Sequence, residues 1–342
     1  MDVVRVAQRI ADEALFPAAL STDAASVVPR ELLDALAAAG LYGLAAPPDA
    51  GGLGADFSTA CAVHEALASG CLTTAFVWAQ HHGLVRALAQ GGNPELAASL
   101  LTPLARGEVR AGVALAGAMP RATLRATPDA GGWRLDGVAP FVSGWGRIDV
   151  IHAAARAGDE VVWLVIDASV GSHVHAEPLR LISLNATATR RITFDRLHVA
   201  AGRVTGRHPA SDATAPEVLR IHAAWALGVA ARCLRMLGPS PLDAELTSLR
   251  AELDRLGPGT AAARAAAGEL AMRAAAALMT SEGSRSLLVA DQGQRLAREA
   301  MFMLVYALRP ASRAALLARL GASGGHNSQE RPSRKASEPE IR

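Results

Sequence analysis

The chain has 342 residues, of which 51% are hydrophobic and 19% charged, a composition typical of a protein with a large buried core in two or three packed layers or domains. The net charge of +2 argues neither for nor against any partner, but no basic patch with interleaved aromatic residues occurs, so we expect no binding to nucleic acid. No apolar run reaches the length of a membrane span, so we expect no membrane partner.

The beginning of the chain does not resemble a targeting sequence. Acidic residues occur from Asp2 onward, and the basic-then-apolar order of a signal peptide is missing, which predicts a cytoplasmic protein. The three cysteines, Cys61, Cys71 and Cys233, lack the spacing of metal ligands. We therefore expect buried, reduced thiols and no metal site.

The first third of the chain has helical periodicity throughout. Apolar residues recur at helical spacing, and Gly40 has the position of a glycine that ends a helix. Residues 41–57 form a loop rich in glycine and proline. The predicted helices span residues 1–20, 30–39, 58–68, 73–88 and 94–104. These segments predict an N-terminal helical domain over residues 1–109.

The middle of the chain has the pattern of a β domain. Over residues 110–207, short β-rich runs alternate with turn residues, which predicts a barrel or sandwich of about eight strands. Within it, the stretch Gly131–Gly144 reads as a turn, a strand, a second turn at Asp136-Gly137 and another strand. Asp-Gly between β-forming runs is typical of a type I′ hairpin turn.

The last part of the chain is helical again. The predicted helices span residues 217–237, 242–256, 260–279, 285–308 and 311–320, and they form a C-terminal bundle over residues 208–320. Residues 321–342 are polar and free of aromatic side chains, which predicts a disordered tail. The predicted fold class is therefore α+β, with helices, then strands, then helices along the chain.

Four strings in this order resemble the acyl-CoA dehydrogenase family. The first is the loop Gly40–Gly54, GLYGLAAPPDAGGLG, and the second is Trp133–Gly144, WRLDGVAPFVSG. The third is Ile192–Val199, ITFDRLHV, and the fourth is Leu296–Ala300, LAREA. Together they cover the chain from about residue 31 to residue 320, and they identify it as a divergent member of this family with a shortened C-terminal domain.

The resemblance implies an FAD cofactor between the β domain and the C-terminal helices, often at a subunit interface. It places Phe141 against the isoalloxazine ring and the Ser143 hydroxyl near N5, with Val142 between them and Arg298 as a further cofactor-binding residue. It also implies α,β-desaturation of an acyl-CoA or another acyl thioester by a homodimer or homotetramer. An aromatic face suits a flat ring, and N5 needs a hydrogen-bond donor to tune its hydride acceptance.

The chain departs from the family pattern around the expected flavin. Leu115–Arg121 has no Ser, Thr or acid where the family carries a flavin-binding loop, although backbone N–H groups there remain available as donors. Gly238–Leu242 replaces an arginine-containing string that in the family reaches the partner's FAD. The family's glycine-rich loop is reduced at residues 290–294.

The catalytic base of the family has no counterpart at its usual position. Desaturation requires a carboxylate to remove the α-proton, and that position is Ala307 here. Glu217 is a candidate replacement, and its alternative role is a first-turn acid that favours the helix dipole. His82, in the pair His81-His82, is a second candidate for acid–base chemistry. Its alternative role is a buried core histidine.

Two other functions therefore stay open. Flavin-dependent monooxygenases of the same fold lack the glutamate and use reduced flavin and oxygen. Some relatives instead pair an active subunit with one that lacks the base, which predicts a hetero-oligomer with a homologue.

Overall fold

The computed structural model describes residues 2–91, 93–211 and 213–321. The predicted disordered tail, residues 321–342, lies outside the described residues apart from Gly321.

The N-terminal part of the chain is helical, as its periodicity predicts. Ala11–Leu15 forms a π-helical turn within the first predicted helix. Gly40 has a φ of 75° and follows the third helix, where the glycine stop was expected. The helices are α1 (Val3–Ile10), α2 (Ala19–Ala24), α3 (Arg30–Ala38), α4 (Phe57–Gly70), α5 (Leu72–Ala79), α6 (His82–Ala89) and α7 (Pro94–Ala105).

The middle of the chain forms one eight-stranded sheet among the described residues. The strands are β1 (Ala111–Ala114), β2 (Leu124–Asp129), β3 (Gly132–Val142), β4 (Val150–Ala157), β5 (Glu160–Asp167), β6 (Val174–Pro178), β7 (Arg190–Ala200) and β8 (Val204–Pro209). Their order is β6-β7-β3-β2-β4-β5-β8, with β1 paired in parallel to β4. The predicted number of strands is therefore confirmed, and β8 runs two residues beyond the predicted boundary at residue 207.

The predicted hairpin turn at Asp136-Gly137 is wrong. Residues 132–142 form one continuous strand, and the hairpin lies one turn earlier, between β2 and β3. At Asp136 the pairing of β3 with β7 shifts register, and the Asp136 carboxylate accepts a hydrogen bond from the Arg196 N–H at 3.0 Å. Gly137 has a φ of 122°, and a Cβ there would lie 2.2 Å from the Thr123 carbonyl oxygen. The Asp-Gly pair thus forms a β-bulge at Asp136 and allows the backbone at Gly137 to approach that of Thr123 closely.

The C-terminal part of the chain consists of five more α-helices among the described residues. They are α8 (Pro216–Leu237), α9 (Leu242–Leu253), α10 (Thr260–Glu282), α11 (Gln292–Val305) and α12 (Pro310–Arg319). The predicted helix over residues 285–308 is shorter than expected, because a 3-10 turn occupies Gly283–Leu287. With helices before and after a sheet, the α+β class is confirmed.

The N-terminal and C-terminal helices share one hydrophobic core. Leu67, Trp78, Leu227 and Leu270, from α4, α5, α8 and α10, belong to the same buried cluster. At Gly228, a Cβ would lie 2.3 Å from the Glu65 carbonyl oxygen, so α8 can approach α4 closely only with glycine there. The side chains inside the sheet form a separate core.

A buried ion pair joins these two groups of helices. Arg295 Nη1 lies 2.6 Å from Glu299 Oε1 one turn along α11, and both side chains are almost completely buried. The same Glu299 oxygen accepts a hydrogen bond from the Leu72 N–H at the start of α5. Burial raises the pKa of the Glu299 carboxyl, and the neighbouring Arg295 guanidinium opposes that rise. The pair therefore fixes the first turn of α5 against α11.

Breaking this pair should destabilise the protein strongly. We expect Glu299→Gln to lower the free energy of unfolding by about 3 kcal/mol or more, because it leaves the Arg295 charge buried without a counterion. Urea denaturation measures the change. Arg319→Ala, which breaks the more exposed pair with Glu269, is the control and should cost less than about 1 kcal/mol. Equal losses in the two variants would contradict this role of Glu299.

Candidate functional site

The end of β3 presents the predicted cofactor residues on two faces. Val142 is completely buried in the core of the sheet, whereas Phe141 is 65% exposed and lies outside that core. Ser143 is 9% exposed. An aromatic ring this exposed at the end of a regular strand has an uncovered apolar face, which is the feature that a flat ligand would cover.

The Ser143 hydroxyl is the end of a chain of three buried hydroxyls. Its Oγ lies 2.8 Å from Thr189 Oγ1, which lies 2.8 Å from Thr187 Oγ1. Thr187 in turn donates to the Leu184 carbonyl oxygen at 2.7 Å. Sequence reasoning missed both threonines, because the string NATATR at residues 185–190 has no recognisable motif and the loop reaches Ser143 only in the folded chain.

Gly144 brings this end of the sheet against the N-terminal helices. It has a φ of 89°, and its N–H donates to the Thr187 carbonyl oxygen at 2.7 Å. A Cβ there would lie 2.9 Å from Ile148 Cγ2 and 3.4 Å from Val77 Cγ1, on α5. Only glycine satisfies both the left-handed backbone and the close packing.

Arg298 supports the loop that carries the two threonines. All five of its guanidinium N–H groups have protein acceptors: both carboxylate oxygens of Asp23, the Gln294 side chain and the Ile182 carbonyl oxygen. Ser183 donates to the Arg298 carbonyl oxygen at 2.7 Å. Arg298 therefore fastens the β6–β7 loop to α11 and α2, and a direct contact with a cofactor would require one of these bonds to break.

The position expected for the base lies just after α11. Ala307 has a φ of 50°, in the left-handed region, and the preceding Tyr306 carbonyl oxygen accepts a hydrogen bond from Arg264 Nη2 at 3.1 Å. Glu217 is exposed in the first turn of α8, and its charge acts on Arg86 of α6. No contact between Glu217 and Phe141 or Ser143 is described, so its role as base stays a prediction.

Next to Ala307, aromatic and histidine side chains fill the space between the two groups of helices. Tyr306 lies 5.0 Å from Phe76 and 5.1 Å from His222, measured between ring centroids. Trp225 Nε1 donates to His64 Nδ1 at 3.0 Å. We call this set the aromatic–histidine cluster; it consists of His64, Phe76, Trp78, His82, His222, Trp225, Phe302 and Tyr306.

The histidines of the aromatic–histidine cluster are neutral at pH 7. Burial lowers the pKa of His64 and of His222 to about 3, and it lowers the pKa of His82 well below its usual value. Among the described residues, neither ring nitrogen of His82 has a hydrogen-bond partner. His82 therefore lies in the interior, and it would need a bound ligand or a water to exchange a proton.

Comparisons with known proteins agree with this architecture. Residues 2–108 match the family model for the acyl-CoA dehydrogenase N-terminal domain. The chain is 26% identical over 239 residues to a benzylmalonyl-CoA dehydrogenase of Aromatoleum aromaticum, a match over 66% of this chain and 63% of that protein. It is 29% identical over 219 residues to an L-evernosamine nitrososynthase of a Micromonospora species, over 56% of this chain and 48% of that protein.

Solved structures share the whole fold at lower identity. A glutaryl-coenzyme A dehydrogenase in complex with glutaryl-CoA superposes with a TM-score of 0.79 at 18% identity, over 94% of this chain and 95% of its own. PigA with FAD and proline superposes with a TM-score of 0.77 at 18% identity, over 94% and 97%. With its N-terminal helices, middle sheet and C-terminal helices, the chain has the acyl-CoA dehydrogenase fold, and its first 108 residues resemble that family's N-terminal domain.

Within residues 2–91, 93–211 and 213–321, no group of three or more His, Cys, Asp or Glu side chains has the arrangement of a metal site. Over the same residues, no helix is both long and apolar enough to cross a membrane.

The neutral histidines should make stability depend on pH. Since the folded-state pKa of His64 lies below its usual value near 6.5, the unfolded chain binds the proton first, and stability falls as the pH drops from about 6.5 toward 3. At pH 5 this one group should cost about 2 kcal/mol relative to pH 7.

We therefore expect His64→Asn, which keeps an acceptor for Trp225, to lose less stability between pH 7 and pH 5 than the parent. Urea denaturation at both pH values measures the difference. Trp225→Phe is the control, because it retains His64 and should keep the steeper dependence. An unchanged pH dependence in His64→Asn would contradict a neutral, buried His64.

Proposed function

We propose that this protein is an FAD-dependent oxidoreductase that desaturates an acyl thioester, such as an acyl-CoA, between Cα and Cβ. The observation that carries the proposal is the exposed Phe141 ring beside the Ser143 hydroxyl, at the end of β3 and close to the helices that hold the aromatic–histidine cluster. The match of residues 2–108 to the acyl-CoA dehydrogenase N-terminal domain, and the similarity to a benzylmalonyl-CoA dehydrogenase, support the same reaction class.

The residues present fit a flavin at this place. Phe141 offers a bare aromatic face, and the Ser143 hydroxyl, which contacts Thr189, follows two residues later at the strand end. Leu115–Arg121 supplies backbone groups in place of the family's side-chain donors. When bound, FAD supplies the acceptor for the hydride that leaves Cβ.

The chain itself would provide orientation, exclusion of water and a base. No side chain of the aromatic–histidine cluster carries a charge, because its histidines are neutral. A low dielectric of this kind strengthens the interactions with a polarised thioester carbonyl. We propose Glu217 as the group that removes the α-proton, and His82 as an interior group that contacts the substrate.

The alanine at position 307 favours a second candidate, a flavin-dependent monooxygenase. Oxygen chemistry at a reduced flavin does not require a carboxylate at that position, and one relative is named for nitroso synthesis rather than dehydrogenation. The third alternative, a base-lacking subunit of a hetero-oligomer, predicts a protein that is colourless and inert unless its homologue is present.

We further propose that the protein is a homodimer or homotetramer in the cytoplasm. The segment between α10 and α11 exposes Leu287, Leu288 and Val289 to solvent, and apolar side chains in such a row are typical of an interface. A hetero-oligomer with a homologue would use the same segment.

Flavin binding should depend on Phe141. We expect purified protein to bind FAD, visible as a flavin absorbance spectrum that remains after desalting. Phe141→Ala should weaken binding about tenfold, since it removes a ring contact of about 1 kcal/mol or more. Val170→Ala is the control, because Val170 is also 65% exposed but lies on another part of the β domain. Equal effects of the two substitutions would contradict a flavin site at Phe141.

Desaturation should bleach the bound flavin. We expect a panel of acyl-CoAs to include one that reduces the flavin under anaerobic conditions, and Glu217→Gln should lower that rate at least about a hundredfold. Glu95→Gln is a matched control, since Glu95 also follows a proline in the first turn of an exposed helix end. A normal rate in Glu217→Gln would exclude Glu217 as the base, and no bleaching with any thioester would contradict desaturation.

A further inference from the structure

The chain of three hydroxyls next to the proposed flavin site has a fixed direction. Thr187 Oγ1 lies 2.7 Å from the Leu184 carbonyl oxygen, which can only accept, so the Thr187 hydroxyl must donate its single hydrogen there. The Leu184 carbonyl thus acts as an anchor at one end of the chain.

The direction of the other two bonds follows from this anchor. Since the Thr187 hydrogen is already used, Thr187 can only accept from Thr189 across their 2.8 Å contact. Thr189 has then used its own hydrogen, so it can only accept from Ser143 across the next 2.8 Å contact. Each hydroxyl has one hydrogen to donate, and all three hydrogens therefore point toward Leu184.

This order leaves Ser143 with acceptor capacity only. Its hydrogen is directed to Thr189, and its remaining lone pairs are the only polar feature that its side chain can offer to a ligand. Ser143, Thr189 and Thr187 are 9%, 3% and 1% exposed, respectively, so bulk water does not replace these bonds. Reversing the chain would break the bond to Leu184 inside the protein.

The two redox forms of a flavin differ in what they need from such a group. N5 of the oxidised ring carries a lone pair and requires a donor, whereas N5 of the reduced ring carries an N–H and requires an acceptor. An oxygen that has only lone pairs repels the first form and accepts a hydrogen bond from the second.

We propose that the Ser143–Thr189–Thr187 chain makes this site selective for reduced FAD over oxidised FAD. The inference rests on the proposed function, because it assumes that N5 lies against Ser143. It adds that the threonines of the β6–β7 loop act as positioning residues: they do not touch the flavin, but they determine which way the Ser143 hydrogen points.

Anaerobic calorimetric titration with oxidised FAD and with dithionite-reduced FAD tests the proposal. We expect the reduced form to bind about tenfold more tightly, which raises the two-electron midpoint potential of bound FAD by about 30 mV relative to free FAD. Equal affinities, or tighter binding of oxidised FAD, would overturn the inference while leaving the proposed flavin site intact. Failure of both forms to bind would instead contradict the proposed function.

Two variants at Thr187 distinguish the effect of hydrogen-bond direction from the effect of having a hydroxyl group at Ser143. Thr187→Val removes the anchored end, so Thr189 can donate to Ser143 and Ser143 can donate to N5. The two forms of FAD should then bind with about equal affinity, or the oxidised form should bind more tightly. Thr187→Ser keeps the anchor and should keep the preference. A preference that survives Thr187→Val would overturn the proposal.

Ser143→Ala provides an independent check if Thr187→Val does not fold. It removes both the repulsion of oxidised FAD and the bond to reduced FAD, so the two forms should bind within about twofold of each other. An unchanged tenfold preference in Ser143→Ala would show that another group sets it.

Discussion

The fold depends on a buried carboxylate that serves two helices at once. Glu299 pairs with Arg295 on its own helix and accepts a hydrogen bond from the Leu72 N–H at the start of α5. Helix α5 carries Val77, which packs against Gly144, and Phe76, which lies in the aromatic–histidine cluster. The buried Glu299 carboxylate therefore helps to fix the position of α5, the helix that packs against the candidate site. The geometry of the site thus depends on a polar contact in the core.

The helices were predictable from sequence because their apolar periodicity and glycine stops are local signals. The same holds for the number of strands. The Asp136-Gly137 prediction failed because the same dipeptide suits a type I′ turn and a β-bulge, and only the pairing of β3 with β7 distinguishes them. Local sequence therefore indicated a special backbone conformation at Gly137 correctly, but not which one.

The candidate site was predictable in part for a related reason. Phe141 and Ser143 belong to a recognisable string, whereas Thr189 contacts Ser143 across 46 positions of the chain and only after the β6–β7 loop is fastened by Arg298. The neutrality of His82 is also a property of the packed interior rather than of the pair His81-His82. Long-range packing thus controls the protonation and hydrogen-bond direction that decide the chemistry, and a single sequence does not display it.

The turn at Ala307 has a consequence for how this chain can change by mutation. Its left-handed backbone is held from outside, because Arg264 binds the carbonyl oxygens of Met303 and Tyr306. Both bonds are accepted by main-chain carbonyl groups, so neither requires a particular side chain at residue 307. An alanine codon and a glutamate codon can differ at one base, so a lineage can lose or regain a carboxylate at this point in one mutational step without changing its fold.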